Sequence, residues 1–246
     1  MHRFFIKPEN IKRNTITLSN EDVTRIRRVL RCKKGDCVKV LDGKGGEYLV
    51  QIEKIDPNIV KGRILERTFI KNIPDVSVVM GQGIPKGSKM DLIVQKATEL
   101  GVDKIVPLIT ERTVVKINNQ SSYKKIERWR RIAKGSSEQS CRSFVPEISH
   151  VMDLYHFFSK YRDADTKLIL WEEEKNIRFR DRLRNIDKIG ELILVIGPEG
   201  GFSKKEIKRA EDEGFVSVGL GFSILRTETA PLVTLSIIQY ILGNLG

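Results

Sequence analysis

The hydrophobic pattern of the first third of the chain is typical of short extended segments. The runs CVKVLDG, KGGEYLVQIEKI and IVKGRILERTF are separated by the turn residues Asp42-Gly43 and Asp56-Pro57-Asn58. This pattern predicts a small β-barrel or sheet over residues 1–72. The stretch EDVTRIRRVLR has helical spacing instead, which places apolar residues on one face, namely Val23, Ile26, Val29 and Leu30. Arginines surround the rest of this helix and form either a solvated face or an RNA-facing stripe.

After the linker KNIPD, short apolar runs alternate with helical segments. The runs are VSVVM, KIVPL, KLILW, LILVI and VSVGL. This alternation predicts an α/β domain with a mostly parallel sheet over residues 73–246. The helix SKMDLIVQKATELG has an apolar face and ends at Gly101. The last segment, TETAPLVTLSIIQYILGNLG, is apolar enough to be buried against the sheet or against a second subunit.

Ligand loops are predicted where three of these strands end. In IGPEGGFSKKE, Ser203 and Glu206 form a capping box, so the preceding glycines lie in a loop where positive φ and close ligand approach are allowed. The loop LGFSILRTETA follows VSVGL, and KLILW runs into Glu172. The carboxyl ends of parallel strands are the usual ligand site of an open sheet. The simpler interpretation is a tight turn with an exposed Glu199, and an Arg226–Glu228 ion pair in the other loop.

A glycine-containing segment, GQGIPKG, follows the strand VSVVM. Its spacing differs by one residue from a dinucleotide fingerprint, and a proline occupies the turn that should offer free amides. A basic loop with Lys86 and Lys89 available to a phosphate fits the segment better.

Composition and charge narrow the class of protein. The chain has 246 residues, 40% of them hydrophobic, and a net charge of +12. Residues 1–72 hold 17 Lys and Arg against 9 Asp and Glu, so most of the excess lies there, as expected for a partner with a phosphate backbone. No run is apolar enough to span a bilayer, and the three cysteines and three histidines lack metal-ligand spacing. We expect a soluble, cytoplasmic protein with no metal, no disulfide and no membrane partner.

Motifs along nearly the whole chain carry a family resemblance. They are RFF, VLR with KKGD, QGIPKGSKMDLIVQKATELGVDKIVPL, ERW, EQSCR, VPEI, IGPEGGFS and LRTETA. The chain resembles the RsmE family of 16S ribosomal RNA uridine-N3 methyltransferases, within the SPOUT superfamily. Arg25 stands where relatives often have a histidine.

The resemblance implies a fold, a cofactor and partners. It implies a PUA-like N-terminal β-barrel, a C-terminal SPOUT α/β domain with a deep trefoil knot, S-adenosylmethionine as methyl donor, and a homodimer that acts on 16S rRNA or the 30S subunit. The expected cofactor contacts are Leu170, Trp171, Glu172, Ile196, Gly197, Pro198, Glu199, Gly200, Gly201, Leu220, Gly221, Ile224, Leu225, Arg226, Thr229 and Ala230. The expected RNA contacts are Arg3, Arg25, Arg28, Arg31, Lys86, Lys89, Gln139 and Arg142.

The expected chemistry is an in-line displacement on the methyl group by the uridine N3, which must lose its proton. Arg226 is expected to stabilise the uridine anion, and either Glu199 or Glu228 to assist proton removal. Two other classes of function remain open at the level of sequence. One is a non-enzymatic RNA-binding or ribosome-assembly protein, and the other is a nucleotide-binding enzyme of the dinucleotide type.

Overall fold

The chain forms two compact units. The computed structural model describes residues 1–19, 21–69, 76–115, 119–184 and 190–245, with backbone alone at 119–121. One unit consists of Met1–Ile73 and Ser137–Val145, and the other of Pro74–Ser136 and Pro146–Gly246. The sequence pattern gave no sign that Ser137–Val145 belongs to the first unit. The predicted linker, residues 71–75, lies outside the described residues.

The first unit is built on a six-stranded sheet. Its strands are β1 (Arg3–Phe5), β2 (Ile11–Lys12), β3 (Thr15–Ser19), β4 (Cys37–Leu41), β5 (Gly46–Ile55) and β6 (Ile59–Phe69). They lie in the order β1-β4-β5-β6-β3-β2, with β1 parallel to β4 and the other pairs antiparallel. Residues that alternate along these strands, such as Ile16 and Leu18 or Val38 and Val40, are buried together and form the core of the unit.

The predicted helix of the first unit contains a π-helical turn. Helix α1 (Glu21–Thr24) continues into this turn over Arg25–Val29, where the Leu30 amide donates to the Arg25 carbonyl at 2.8 Å. Val23 and Ile26 are buried, but Val29 is 70% exposed. The predicted position of Val29 on the apolar face is therefore wrong. A π-turn places more residues in a turn than an α-helix does, and this rotates the residues that follow.

The second unit is built on a parallel sheet, as predicted. Its strands are β7 (Ser77–Gly83), β8 (Lys104–Ile109), β9 (Glu147–Ile148), β10 (Met152–Asp153), β11 (Thr166–Leu170), β12 (Glu191–Ile196) and β13 (Val216–Val218). The order is β10-β8-β7-β12-β11-β13, with β9 also paired to β8, and every pairing is parallel. Strand β12 thus lies between β7 and β11, and its carboxyl end opens at the middle of the sheet.

Six helices are described in this unit. They are α2 (Lys89–Glu99), α3 (Asn119–Gln139), α4 (Leu154–Lys160), α5 (Phe179–Arg182), α6 (Lys204–Asp212) and α7 (Ala230–Ile241); α3 extends into the first unit. The side chains of Asp153 and Ser203 cap the starts of α4 and α6. The predicted apolar residues Met90 and Ile93 of α2 are buried, and Gly101 follows this helix with φ +91°. In α7, Leu235 and Ile238 are buried, whereas Tyr240 is 70% exposed in the single chain.

The first two glycines of GQGIPKG have a packing role and do not lie in the predicted loop. Gly81 and Gly83 lie inside β7, and the residues after them turn towards α2. A Cβ on Gly81 would lie 2.9 Å from Phe157 and Leu108, and one on Gly83 would lie 2.6 Å from the Pro198 amide nitrogen. These glycines allow α4 and the loop after β12 to pack closely on β7.

Candidate active site

A cavity of about 440 Å³ opens at the carboxyl ends of β11, β12 and β13. Its walls come from the three loops predicted for ligand binding, namely residues 170–172, 197–201 and 220–230, and from residues next to them at the strand ends. Of the predicted cofactor contacts, all line the cavity except Gly200 and Thr229. The structure therefore brings together side chains that are up to about 60 positions apart in the sequence.

Seven further residues line the cavity that sequence reasoning did not assign to it. They are Lys89, Glu174, Val218, Gly219, Phe222, Ser223 and Thr227. Phe222, Ser223 and Thr227 lie in the predicted loop after β13, whereas the other four lie outside the predicted loops. Lys89 was predicted as a phosphate contact and not as a cavity residue. No local sequence pattern shows that α2 begins at the cavity.

The loop after β12 has the geometry that its sequence predicts. Ser203 caps α6 by accepting from the Glu206 amide at 3.2 Å, and Glu206 accepts from the Ser203 amide at 2.8 Å. Gly201 has φ +65°, and a Cβ there would lie 2.9 Å from the carboxylate carbon of Glu172. Of the two adjacent glycines, which both permit positive φ, only Gly201 has it. Only a glycine fits position 201 without strain.

Buried hydrogen bonds join the loops after β12 and β13 to β7. The Thr227 hydroxyl donates to the Gly197 carbonyl at 2.7 Å. The buried Gln82 amide donates to the Gly83 carbonyl at 2.9 Å and to the Thr227 oxygen at 3.2 Å. These bonds fix the relative positions of the two loops at the base of the cavity.

The segment after β8 supports the same loop from another side. Arg112 donates to the Gly200 carbonyl at 2.6 Å, and the Glu111 amide donates to the buried carboxylate of Glu206 at 2.8 Å. The Tyr155 hydroxyl donates to Glu111 at 2.9 Å. Burial, followed by the hydrogen bond to Glu111, raises the pKa of Tyr155 to about 12. Hydrogen bonds, first with Ser203 and then with Tyr155, lower the pKa of Glu111.

The two predicted carboxylates meet at Lys89. The Lys89 ammonium lies 3.0 Å from Glu199 and 3.4 Å from Glu228. Glu199 also accepts from the Lys86 amide at 3.1 Å. Burial disfavours the charged form of Glu199, but its hydrogen bonds to backbone amides and to Lys89 outweigh this effect and lower its pKa. Glu199 lines the cavity, whereas Glu228 lies beside it.

Arg226 is exposed at the cavity, and its side chain makes no ion pair among the residues that the structure describes. The alternative Arg226–Glu228 pair does not form there, because Glu228 faces Lys89. The backbone carbonyl of Arg226 accepts from the amides of Thr229 and Ala230 at 2.8 and 3.0 Å. The start of α7 thus holds the backbone of Arg226 while its guanidinium stays available to a ligand.

Charges around the cavity contrast with those of the whole chain. Its lining contains Glu172, Glu174 and Glu199 against Lys89 and Arg226. In the described residues, Glu172 has neither an ion pair nor a hydrogen bond. In a chain of net charge +12, this site therefore has an acidic excess, which favours a ligand with a positive centre.

The predicted RNA contacts of the first unit fall into two groups. Arg28, Arg31 and Gln139 are exposed. Arg3 pairs with Glu47 at 3.1 Å and donates to the Cys141 carbonyl at 2.9 Å. Arg25 pairs with Glu138, whose side chain is 2% exposed, and lies 5.3 Å from the centre of the Phe4 ring.

Arg3 and Arg25 therefore attach the segment Ser137–Val145 to the first unit. Glu138 adds a third connection, because it accepts from the Phe5 amide at 3.1 Å. Arg142, in the same segment, is half-buried and also has a partner. Of the two predicted contacts in the second unit, Lys86 is exposed and Lys89 is held by carboxylates. Sequence patterns did not reveal these pairings because their partners are distant along the chain.

The described parts of the chain contain neither a metal-binding cluster nor a membrane-spanning helix. No group of three or more His, Cys, Asp or Glu side chains there could hold a metal ion. No helix in those parts is both long and apolar enough to cross a bilayer.

Comparisons with known proteins agree with this geometry. A family model described as an RNA methyltransferase domain matches residues 72–239, and one described as an RNA methyltransferase PUA domain matches residues 18–65. Ribosomal RNA small subunit methyltransferase E of Bacillus subtilis is 34% identical over 98% of this chain and 96% of its own length. The corresponding protein of Mesomycoplasma hyopneumoniae is 33% identical over 96% and 98%.

Solved structures give the same result. A ribosomal RNA small subunit methyltransferase E from Neisseria gonorrhoeae, bound to S-adenosyl methionine, has a TM-score of 0.88 and 31% identity, with 98% of both chains covered. A Legionella pneumophila methyltransferase in complex with the cofactor SAM has a TM-score of 0.89 and 33% identity, with 97% of this chain and 96% of that one covered. The chain belongs to the RNA methyltransferase family and, within it, to the ribosomal RNA small subunit methyltransferase E group.

Proposed function

We propose that this protein transfers a methyl group from S-adenosylmethionine to N3 of one uridine in 16S ribosomal RNA. Family membership supports an RNA methyltransferase of the small ribosomal subunit, and two relatives bind S-adenosylmethionine. The observation that carries the proposal is the cavity at the carboxyl ends of β11, β12 and β13, where the predicted cofactor loops meet. The non-enzymatic and dinucleotide-binding alternatives have no comparable site in their favour.

The cavity residues fit this cofactor in charge and in hydrogen bonding. The acidic excess suits a ligand that carries a sulfonium cation. In the described structure, the backbone N–H groups of residues 220–225 donate to no protein acceptor, so they can bind the edge of a nucleoside. Apolar side chains beside them, including Leu170, Ile196 and Leu225, can cover its ring faces. The loops 170–172, 197–201 and 220–230 would hold the cofactor.

The residues of this chain have separate tasks in the proposed reaction. S-Adenosylmethionine supplies a methyl group bonded to a positive sulfur. Arg226 would donate to a uracil carbonyl and stabilise the negative charge that develops as N3 loses its proton. The lowered pKa of Glu199 makes it a weak base, and its oxygens already bind Lys86 and Lys89. Lys89 also contacts Glu228, which lies beside the cavity, so both Glu199 and Glu228 stay candidates for the group that assists proton removal.

The proposal also covers the RNA partner, the dimer, the knot, the two domains and the location of the protein. The exposed arginines of the first unit, which includes the PUA-type match, would bind rRNA or the 30S subunit through its phosphates. The exposed apolar end of α7 supports a homodimer. The resemblance to the SPOUT superfamily implies the trefoil knot. From the motifs, we expect residues 1–72 to bind RNA and residues 73–246 to bind the cofactor and form the dimer. A ribosomal RNA substrate implies a cytoplasmic location.

Calorimetry on the full chain tests the cofactor assignment. Separate titrations with S-adenosylmethionine, ATP and NAD should give binding to S-adenosylmethionine alone. Binding of NAD would favour the dinucleotide alternative, and binding of none of the three would favour an RNA-binding protein without this activity.

A further inference from the structure

A second, smaller cavity lies beside the segment that precedes α2. It has a volume of about 250 Å³ and is lined by Ile84, Pro85, Gly87, Ser88, Met90, Asp91, Lys125, Arg128 and Trp129. None of these residues lines the first cavity. The second cavity therefore needs its own explanation.

Its floor and its rim differ in chemistry. Ile84, Met90 and Trp129 are almost fully buried and give it an apolar floor. At the rim, Lys125 is half-buried and has no ion pair among the described residues. Arg128 is exposed and holds Asp91 through Nε and Nη2 at 3.0 and 2.7 Å. With Lys125 and Arg128 against Asp91, the rim has a net positive charge, and together with the apolar floor it matches a nucleotide, which has a flat base and an anionic phosphate.

The segment Ile84–Ser88 separates the two cavities. The Lys86 amide binds Glu199, which lines the first cavity, while its neighbours Pro85 and Gly87 line the second. Along α2, Lys89 lines the first cavity and Met90 the second. A single RNA strand that places one nucleotide at the first cavity can therefore reach the second with a neighbouring nucleotide. The exposed Lys86 lies between them.

We propose that the second cavity binds a nucleotide that flanks the methylated uridine in single-stranded RNA. This inference rests on the proposed function and adds a subsite to it. Lys125 binds the phosphate, and the base lies on the apolar floor beside the Arg128 guanidinium, whose plane is fixed by Asp91. The subsite determines how the strand is held and has no part in cofactor binding.

Adjacent lysines of α3 provide a matched test. Lys125 lines the cavity, whereas its exposed neighbour Lys124 does not. For Lys125→Glu, we expect the KM for 30S subunits to rise about tenfold and the slope of log affinity against log salt to fall by about one. Lys124→Glu should change both much less. The Kd for S-adenosylmethionine and the thermal midpoint should stay unchanged in both variants.

Cross-linking supplies a readout that does not depend on turnover. Small-subunit RNA with 4-thiouridine, assembled into 30S particles, should cross-link to peptides that contain Ile84–Ser88 or Trp129, and Lys125→Glu should abolish this signal. Equal effects of the two lysine variants would overturn the inference, as would cross-links only to a ribosomal protein. If the unaltered chain binds S-adenosylmethionine but methylates no small-subunit RNA, the proposed function fails instead.

Discussion

At the scale of single residues, the cavity depends on contacts that leave little room for substitution. Gly201 has positive φ and faces the carboxylate of Glu172. Arg226 is held through its backbone while its side chain remains without an ion pair in the described structure. In the proposed function, the first feature would determine whether the cofactor fits, and the second whether the bound base reacts. Separate measurements of affinity and rate can distinguish them.

Gly201→Val should weaken binding of S-adenosylmethionine at least about tenfold, because a β-branched residue is strained at positive φ and would press on Glu172. Calorimetry gives the affinity and thermal melting the stability. Gly43→Val is a matched control, since Gly43 has φ +69° but open space around its Cβ position. That variant should lose stability and keep its affinity. An unchanged affinity in Gly201→Val would remove this loop from the site.

Arg226→Ala should reduce the single-turnover methylation rate by about 10²-fold and change cofactor affinity only a few fold, since it removes a charged donor at the developing anion. Arg226→Lys should lie between, because lysine keeps the charge and loses the planar fork. The exposed Arg180, which does not line the cavity, is the control, and Arg180→Ala should behave like the unaltered chain. If rate and affinity fall together in Arg226→Ala, the residue shapes the loop and is not catalytic.

At the scale of elements, α2 and the segment after β8 hold the loop after β12 from two sides. Lys89 binds its Glu199, and Arg112 binds its Gly200 carbonyl. Glu111 connects the same segment to Tyr155 of α4 and to Glu206 of α6. The loop is therefore ordered by three helices, and its shape does not depend on its own sequence alone.

Tyr155→Phe should destabilise the protein only within a limited pH range. The raised pKa of Tyr155 means that its contribution is complete below pH 10 and is lost as pH rises through about 12. The lowered pKa of Glu111 means that its contribution is present above pH 4.5 and is lost as pH falls through the lowered value. Urea unfolding at several pH values measures the difference. Tyr123→Phe, at an exposed tyrosine, should show no such range. A difference that is constant with pH would contradict this role.

Elements and loops were largely predictable from sequence, whereas the supports of the loops were not. Buried strands and the capping box of Ser203 and Glu206 are encoded by neighbouring residues, so period and spacing reveal them. The bond between Gln82 and Thr227 joins residues 145 positions apart, and the attachment of Glu138 to Arg25 spans 113. Such contacts arise from topology, and one sequence contains no local pattern for them. The π-turn at Arg25–Val29 was missed because it does not follow the α-helical period.

At the scale of the whole molecule, charge and apolar surface are segregated. Most of the positive excess lies in residues 1–72, while the cavity of the second unit has an acidic excess. The end of α7 adds an exposed apolar surface, with Tyr240 70% and Ile241 43% exposed. This arrangement suits a protein that attracts RNA, binds a cationic cofactor and forms a dimer.

Ile241→Asp combined with Tyr240→Asp should convert a dimer into a monomer, because two charges would replace apolar surface at the proposed interface. Sedimentation velocity measures the change directly. Val29→Asp is a control at a residue that is equally exposed but lies in the first unit. It should leave the dimer intact. If the unaltered chain sediments as a monomer, α7 is not a dimer interface.

In the proposed function, this chain methylates N3 of one uridine in small-subunit ribosomal RNA. The most direct test incubates the full chain with S-adenosylmethionine carrying a labelled methyl group, using 30S subunits that lack the modification or naked rRNA, and identifies the labelled nucleoside by mass spectrometry. We predict label in 3-methyluridine at a single position, and none when the Arg226→Ala variant is used for the same short time. Label in another nucleoside, or no label in either RNA although the cofactor binds, would contradict the account.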